Sequence, residues 1–421
     1  MQICIFEDAN YINLEPLIYP RPVYELVCGI TTLKEKILRN FPKYKYSLHC
    51  RPYLENTLQS EYPDIPVNKI PGKECLFING RLMTNEKLNK VFDTRKKNDC
   101  VFMSGNTIMA AKVSGKRLEQ IKENLPDVIT DKVFAGLEII DADLESVNYI
   151  WDLINWNGGE IKKDYKFLTA KKKSPAKKSK VKIHPGVNFV NKKNVFIGSG
   201  TEIKPGCVID ASNGPVYIDK NVLIYPNAVI EGPAYIGEGS KIKSGATIYE
   251  NVSIGKICKV GGEVEDVIML PYTNKQHAGF IGHAYLGSWA NLGADTNNSD
   301  LKNNYGSVKV TVNGSEIDSG SQFLGLIMGD HSKSSINTMF NTGTSVGFSC
   351  NIFGAGFPAN HIPSFSWGGS EELKTYKVEK SIETAAKVFK RRNKVMTEAD
   401  DYLFRKIFEL TEEERKKKGI L

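Results

Sequence analysis

The chain has 421 residues, 41% of them hydrophobic and 25% charged, with a formal net charge of +8. That is chain enough for two or three domains and the mix of a globular protein, which excludes disorder or coiled coil as the whole answer. Ten lysines against one acid, Asp164, lie between Lys162 and Lys182, so the positive balance belongs to one segment and a broadly basic surface for nucleic acid is not implied.

The first 161 residues alternate short apolar runs with helical patterns and predict an α/β layer. Strands are expected at Gln2 to Phe6, Tyr46 to His49, Glu74 to Ile78, Cys100 to Met103 and Val133 to Ile140. Thr32-Leu-Lys-Glu35 reads as a capping box opening a helix from Leu33 to Leu38. Residues 162–182, Lys-, Ser- and Ala-rich without an apolar period, read as a linker extended by its own charge, across which the two lobes would move independently.

Beyond the linker, isoleucine recurs at 197, 203 and 209, then at every sixth residue from Ile218 to Ile254, and Val260 continues the series. A period of six fits neither helix nor ordinary strand. It is the signature of a hexapeptide β-helix, in which three six-residue sides make a triangular coil and each side sends one aliphatic residue inward. This part is expected to span 183–370. Residues 371–421 predict two helices, Glu379 to Lys394 and one N-capped by Thr397, as a cap on the end of the solenoid.

The eight cysteines stand singly, without zinc spacing, and are expected to be reduced thiols in a cytoplasmic protein. The N-terminus lacks the order of a signal peptide and no run of 18 apolar residues occurs, so no membrane span is expected.

The stretch from His277 to Thr296 resembles the acetyltransferase motif of the GlmU-like family, the bacterial bifunctional N-acetylglucosamine-1-phosphate uridylyltransferases/glucosamine-1-phosphate acetyltransferases. His277-Ala-Gly-Phe280 stands for the start of the family's His-x-x-Tyr, and Asn291-Leu-Gly293-Ala294-Asp-Thr296 for its Asn-Ile-Gly-Ala-Gly-Thr. Near the N-terminus, Leu14-Glu-Pro-Leu17 and Tyr19-Pro-Arg-Pro22 are similar to a branch of that family classed as sugar nucleotidyltransferases. The resemblance implies a Rossmann-like nucleotidyltransferase domain, a left-handed parallel β-helix and C-terminal helices. It also implies a homotrimer that binds acetyl-CoA or another acyl-CoA and acylates a sugar phosphate or sugar nucleotide for cell-envelope precursors.

The same resemblance assigns roles. His277 is expected as the general base, since imidazole is matched to neutral pH, with Asn291 orienting it or the acceptor. Gly293, Ala294 and Thr296 would meet the coenzyme, and Phe280, Lys275, Asp300 and Glu265 the acceptor. Glu265 stands where the acetyltransferases carry a phosphate-binding lysine, so either Lys275 or Lys256 supplies the charge from another place or the acceptor is an amine or hydroxyl other than that of glucosamine 1-phosphate; Asp300 stands where they usually carry Asn. His283 is a rival base, because His283-Ala-Tyr-Leu-Gly also fits with one residue deleted; His331, beside Asp330, is a third candidate.

In the N-terminal part the phosphate loop's glycines are missing. Arg21, Arg81 and Asn79 remain as nucleotide-binding candidates, and Asp8 as a ligand for Mg2+ with an NTP. Metal-dependent nucleotidyl transfer and a non-catalytic trimeric scaffold stand as alternatives to acyl transfer. The lysine run lacks the interleaved aromatics of a nucleic-acid site, and no nucleic-acid partner is expected.

Overall fold

The computed structural model describes residues 1–83, 88–92, 99–170 and 180–420. Its N-terminal part is built on a six-stranded mixed sheet. Across the sheet the strands run Tyr46–Leu48, Gln2–Phe6, Glu74–Asn79, Thr107–Ser114, Cys100–Ser104 and Glu138–Asp141. The first three are parallel, and Thr107–Ser114 lies antiparallel to both of its neighbours. Four of the five expected strands are present. The fifth is a 3-10 turn, Asp131–Phe134, followed by a short strand, and Thr107–Ser114 was not anticipated. The Thr32 capping box is formed and opens the helix Leu33–Arg39.

A long helix, Ile150–Thr169, runs through the start of the expected linker. It buries Ile150, Leu153, Ile154, Asn157, Gly158, Ile161 and Asp164, a stripe of helical period that continues past residue 161. Asp164 is a buried anchor, accepting from Lys36 at 2.7 Å and from the Ile30 N–H at 2.9 Å. Residues 171–179 of the lysine-rich segment lie outside the described residues.

The second part is a parallel β-solenoid of about 10 turns. Equivalent residues of successive coils pair in register, as in Ile203↔Ile224, Ile224↔Ile242 and Ile242↔Val260. From Ile203 to Ile254 the inward isoleucines have no exposed surface, and burying each contributes about 1.5–3 kcal/mol. Lys275 pairs with Val260 and so continues this inward column.

The two parts are not joined by a tether alone. One hydrophobic core contains Leu14, Leu17 and Trp151 from the N-terminal part and Ile268, Tyr285 and Phe348 from the solenoid. The Tyr285 hydroxyl both donates to the Val27 carbonyl and accepts from the Val27 N–H, each at 2.9 Å. The expectation of independent lobes is therefore corrected: packed apolar surface holds them in one arrangement.

The C-terminal helices Val378–Lys390 and Glu398–Leu410 form, the latter with its Thr397–Asp400 capping box. They pack along the solenoid's flank and reach its last coil: Phe389 packs on Trp289, Phe404 on His331 and Phe408 on Phe365. The last coil is closed by Leu373–Thr375, paired antiparallel to Ser366–Gly368.

Candidate active site

Two solenoid strands, Glu263–Met269 and Phe280–Leu286, are seven residues long and bend around a corner of the prism. At the bend Asp266 and His283 have φ of 51° and 44°, the left-handed conformation that turns the corner. Glu265 pairs with Gly282 and Val267 with Ala284, which stacks Asp266 and His283 one coil apart.

The His283 Nδ1 lies 2.9 Å from Asp300 Oδ2, and its Nε2 lies 3.7 Å from Asp266 Oδ2. Phe323 stacks on the ring, centroids 5.1 Å apart. The segment carrying Phe323 is tied to the same corner, because Leu324 N–H donates to Asp300 O at 2.8 Å and Gly325 N–H to His283 O at 2.9 Å. Gly282 makes room: a Cβ there would lie 2.5 Å from the Phe280 ring and closer still to Asp300.

This is an acid-rich, half-enclosed corner. Burial disfavours the His283 imidazolium, yet the hydrogen bond to Asp300 and the charges of Asp266 and Glu265 outweigh it and raise its pKa above the ordinary value. Asp266 is raised by burial, with Glu250 and Asp300 adding to the effect. Glu265 is likewise raised, first by burial and then by Asp266. A neutral imidazole that donates from Nδ1 to Asp300 carries its lone pair on Nε2. That is the arrangement of an oriented general base.

The structure thus gathers Asp300, Glu265 and Phe280 of the sequence-derived set around His283. His277 lies apart on an exposed bend, its ring without a hydrogen-bond or ion-pair partner among the described residues. Asn291 accepts from Asn274 at 3.3 Å, and Asn274 accepts from Arg392 at 3.0 Å, which ties Asn291 toward the C-terminal segment. Lys275 is buried with Nζ donating to the carbonyls of His277 and Ala278 at 2.7 and 2.8 Å, its pKa lowered to about 8 by desolvation. It staples the coil from within. Thr296 is buried too, bonded to Ser334 Oγ at 2.8 Å, and Gly293 is pressed against the Ser335–Ile336 backbone. Both are packed against the next coil. His331 is buried among Trp289, Phe348, Phe389 and Phe404, and burial holds its pKa well below the usual value.

Asp266 escaped the sequence reading, and a signal for it existed. The shortened side between Ile281 and Leu286 makes this coil 17 residues, and Asp266 and Asp300 stand 17 before and 17 after His283. The same step from His277 reaches Val260 and Ala294.

The expected nucleotide site is occupied by the chain itself. Arg81, fully buried, donates through Nε to Asp8 Oδ1 at 2.7 Å and through Nη2 to Oδ2, while Asn79 Nδ2 donates to Asp8 Oδ2 at 2.9 Å. The Asp8 carboxylate is thus committed to an arginine, and no group of three or more His, Cys, Asp or Glu side chains fit to hold a metal occurs among the described residues. The donor set does not fit Mg2+. Arg51 is bonded to Glu7 and to the carbonyls of Ile18 and Arg21, so the loop after the first strand offers carbonyls to a cation where a phosphate would need N–H groups. Arg21 is turned to the solenoid, on Asp330 and Ser288.

A cavity of about 520 Å³ lies between the N-terminal part, the solenoid and the C-terminal helices, with Arg21, Lys256, Trp289 and His331 on its walls. It does not include His283, Asp300 or Asp266.

Residues 3–173 match the family model described as sugar nucleotidyl transferase, and residues 215–250 match six repeats of the bacterial transferase hexapeptide. The bifunctional protein GlmU of Methanocaldococcus jannaschii is 28% identical over 166 residues, 39% of this chain and 33% of that protein. A bifunctional sugar-1-phosphate nucleotidylyltransferase/acetyltransferase of Sulfurisphaera tokodaii is 30% identical over 174 residues, 36% of this chain and 43% of its own length. The chain thus spans less than half the length of these curated relatives. A solved UDP-N-acetylglucosamine acyltransferase of Francisella novicida aligns over 57% of this chain and 86% of its own, at 17% identity and a TM-score of 0.28.

Proposed function

We propose that this GlmU-like chain, a sugar nucleotidyl transferase family part followed by hexapeptide repeats, transfers an acyl group from acyl-CoA to an amine or hydroxyl of a sugar derivative, with His283 as general base. The observation that carries the reading is the 2.9 Å contact between His283 Nδ1 and Asp300, which leaves Nε2 basic and directed along a carboxylate-lined corner.

In the proposed step Nε2 takes a proton from the attacking group as that group bonds to the thioester carbonyl carbon. Asp300 stabilises the imidazolium so formed. Collapse of the tetrahedral adduct breaks the carbon–sulfur bond, and the imidazolium returns the proton to the leaving thiolate. Asp266, Glu265 and Asp300 favour an ammonium or polarised hydroxyl and repel phosphate. The acceptor is therefore an amino sugar or sugar nucleotide whose phosphates lie away from this corner. Exposed Ile336, Phe353 and Phe357 supply apolar surface by which solenoids would pack into a cytoplasmic homotrimer.

His283→Gln is expected to lose about 10²-fold or more of acyl transfer while keeping its melting temperature. Full activity in that variant, followed with acetyl-CoA and amino-sugar acceptors by thiol release, would overturn the assignment. His277→Gln in the same assay separates the two histidines.

A further inference from the structure

We infer that the long helix Ile150–Thr169 of the N-terminal part is a positioning element of the acyl-transfer site, acting through Gly158 and Asn251 on Asp266 and so on His283. This rests on the assignment of His283 as base and deepens it.

The contacts form a short relay. Asn157, fully buried on the helix, donates from Nδ2 to the Asn251 carbonyl at 2.6 Å and accepts at Oδ1 from the Gly29 N–H at 2.7 Å and the Ser253 hydroxyl at 3.0 Å. It therefore clamps the solenoid corner that carries Asn251, whose backbone is left-handed with φ of 58°. The Asn251 side chain then lies across the helix at Gly158, so closely that a Cβ on the glycine would sit 2.6 Å from Asn251 Cγ and nearer still to Oδ1. Only glycine at 158 lets the amide lie there. Held in that place, Asn251 Nδ2 donates to Asp266 Oδ1 at 2.9 Å, and the other carboxylate oxygen faces His283 Nε2 at 3.7 Å. Nε2 is the atom that must take the proton, and Asp266 Oδ2 lines the approach to it.

The same helix reaches the opposite side of the imidazole. Asn155 Nδ2 donates to Ser321 Oγ at 3.1 Å, two residues before Phe323, which stacks on His283. Between Asp300 and Phe323 the chain leaves the solenoid as a hairpin, Lys309–Val312 paired with Ser315–Asp318; its Val310 and Val312, with Val308 just before it, sink into the core shared with the N-terminal part. Both flanks of the base are thus set by the neighbouring part, whose own nucleotide pocket is closed by ion pairs.

Gly158 and Gly159 give a matched test. Replacing either by alanine brings the same gain in helix propensity, but a Cβ on Gly159 meets nothing within 4 Å. Gly158→Ala is expected to lower kcat/KM for the acceptor at least tenfold and to move the acid limb of its pH profile to lower pH, because a displaced Asp266 no longer supports the imidazolium. Asp300, Glu265 and, behind Asp266, Glu250 are the other charges facing this corner, and they are untouched. Gly159→Ala is expected to match the parent. Asn251→Gly keeps the left-handed backbone and removes the amide, and should reproduce the defect. With the collision partner gone, adding Gly158→Ala to Asn251→Gly should cost nothing more.

A parental pH profile in folded Gly158→Ala, or additive losses in the double variant, overturns the inference. Should Gly158→Ala fail to fold, Asn251→Gly decides alone, and a parental profile there is equally fatal. If His283→Gln is inactive while both variants behave as the parent, only this inference falls; if His283→Gln is active, the reading beneath it falls.

Discussion

Arg21 and Asp330, 309 residues apart, form a two-pronged ion pair across the junction of the α/β part and the solenoid: Nη1 lies 2.9 Å from Oδ1 and Nη2 meets Oδ2. Arg21 Nη1 also donates to the Leu17 carbonyl at 2.8 Å, and the pair is largely buried. An arginine that sequence pattern offers to a nucleotide phosphate here neutralises the protein's own carboxylate.

Removing one partner of such a pair strands the other. Arg21→Ala is expected to cost about 3–5 kcal/mol of unfolding free energy, read by urea titration, whereas the volume-matched pair Arg21→Met with Asp330→Leu should recover most of it. A phosphate-binding Arg21 would show neither pattern, only weakened ligand.

The acid limb of acyl transfer should lie above the ordinary histidine value of about 6.5, because His283 is raised by Asp300, Asp266 and Glu265 against the opposing effect of burial. The base works only when neutral, so activity falls as pH drops through that raised value. Asp300→Asn should move the limb to lower pH and reduce kcat. A pH–rate profile with an unmoved limb would show that Asp300 does not act on this imidazole.

Nucleotide and Mg2+ together are expected to leave the melting temperature unchanged, since a ligand at 100 times its Kd would add about 2.7 kcal/mol and the Asp8 carboxylate is held by Arg81 and Asn79. Release of pyrophosphate from an NTP and a sugar 1-phosphate would contradict this. Asp8→Asn should destabilise the fold by leaving a buried guanidinium short of its partner.

His331 and His361 make the fold acid-sensitive. Burial lowers His331 well below its usual value and His361 to about 4. The unfolded chain therefore binds more protons below about pH 6.5, and the stabilisation present above that pH is lost as pH falls toward 4, by up to about 1.4 kcal/mol per unit for each histidine. His283 and Glu15, both raised, act in the opposite direction over this range, so the test is a difference: in unfolding titrations at pH 7.5 and 5.5 His331→Phe should lose less stability on acidification than the parent.

The isoleucine series made the solenoid legible, since a column of inward side chains imposes its period directly on the sequence, and the two Thr capping boxes marked their helices. The corner proposed for catalysis was only half legible. Motif spacing led to His277, whereas the acids that orient a base arrive from the coils above and below, and the distance to them is the coil length, here 17 and not 18. The docking of the two parts was not legible at all. It rests on single side chains such as Arg21, Asn157 and Tyr285, each meeting a partner hundreds or scores of positions away, and nothing periodic announces such pairs.

The core common to Leu14, Trp151, Val310, Phe348 and Phe404 has a genetic consequence. The N-terminal and solenoid coding regions cannot be exchanged as cassettes or expressed as separate genes without laying that apolar surface open to water. Two defective alleles, one damaged in each region, should therefore fail to complement when produced together, and lesions far from His283 in the first 170 residues should score as losses of acyl transfer.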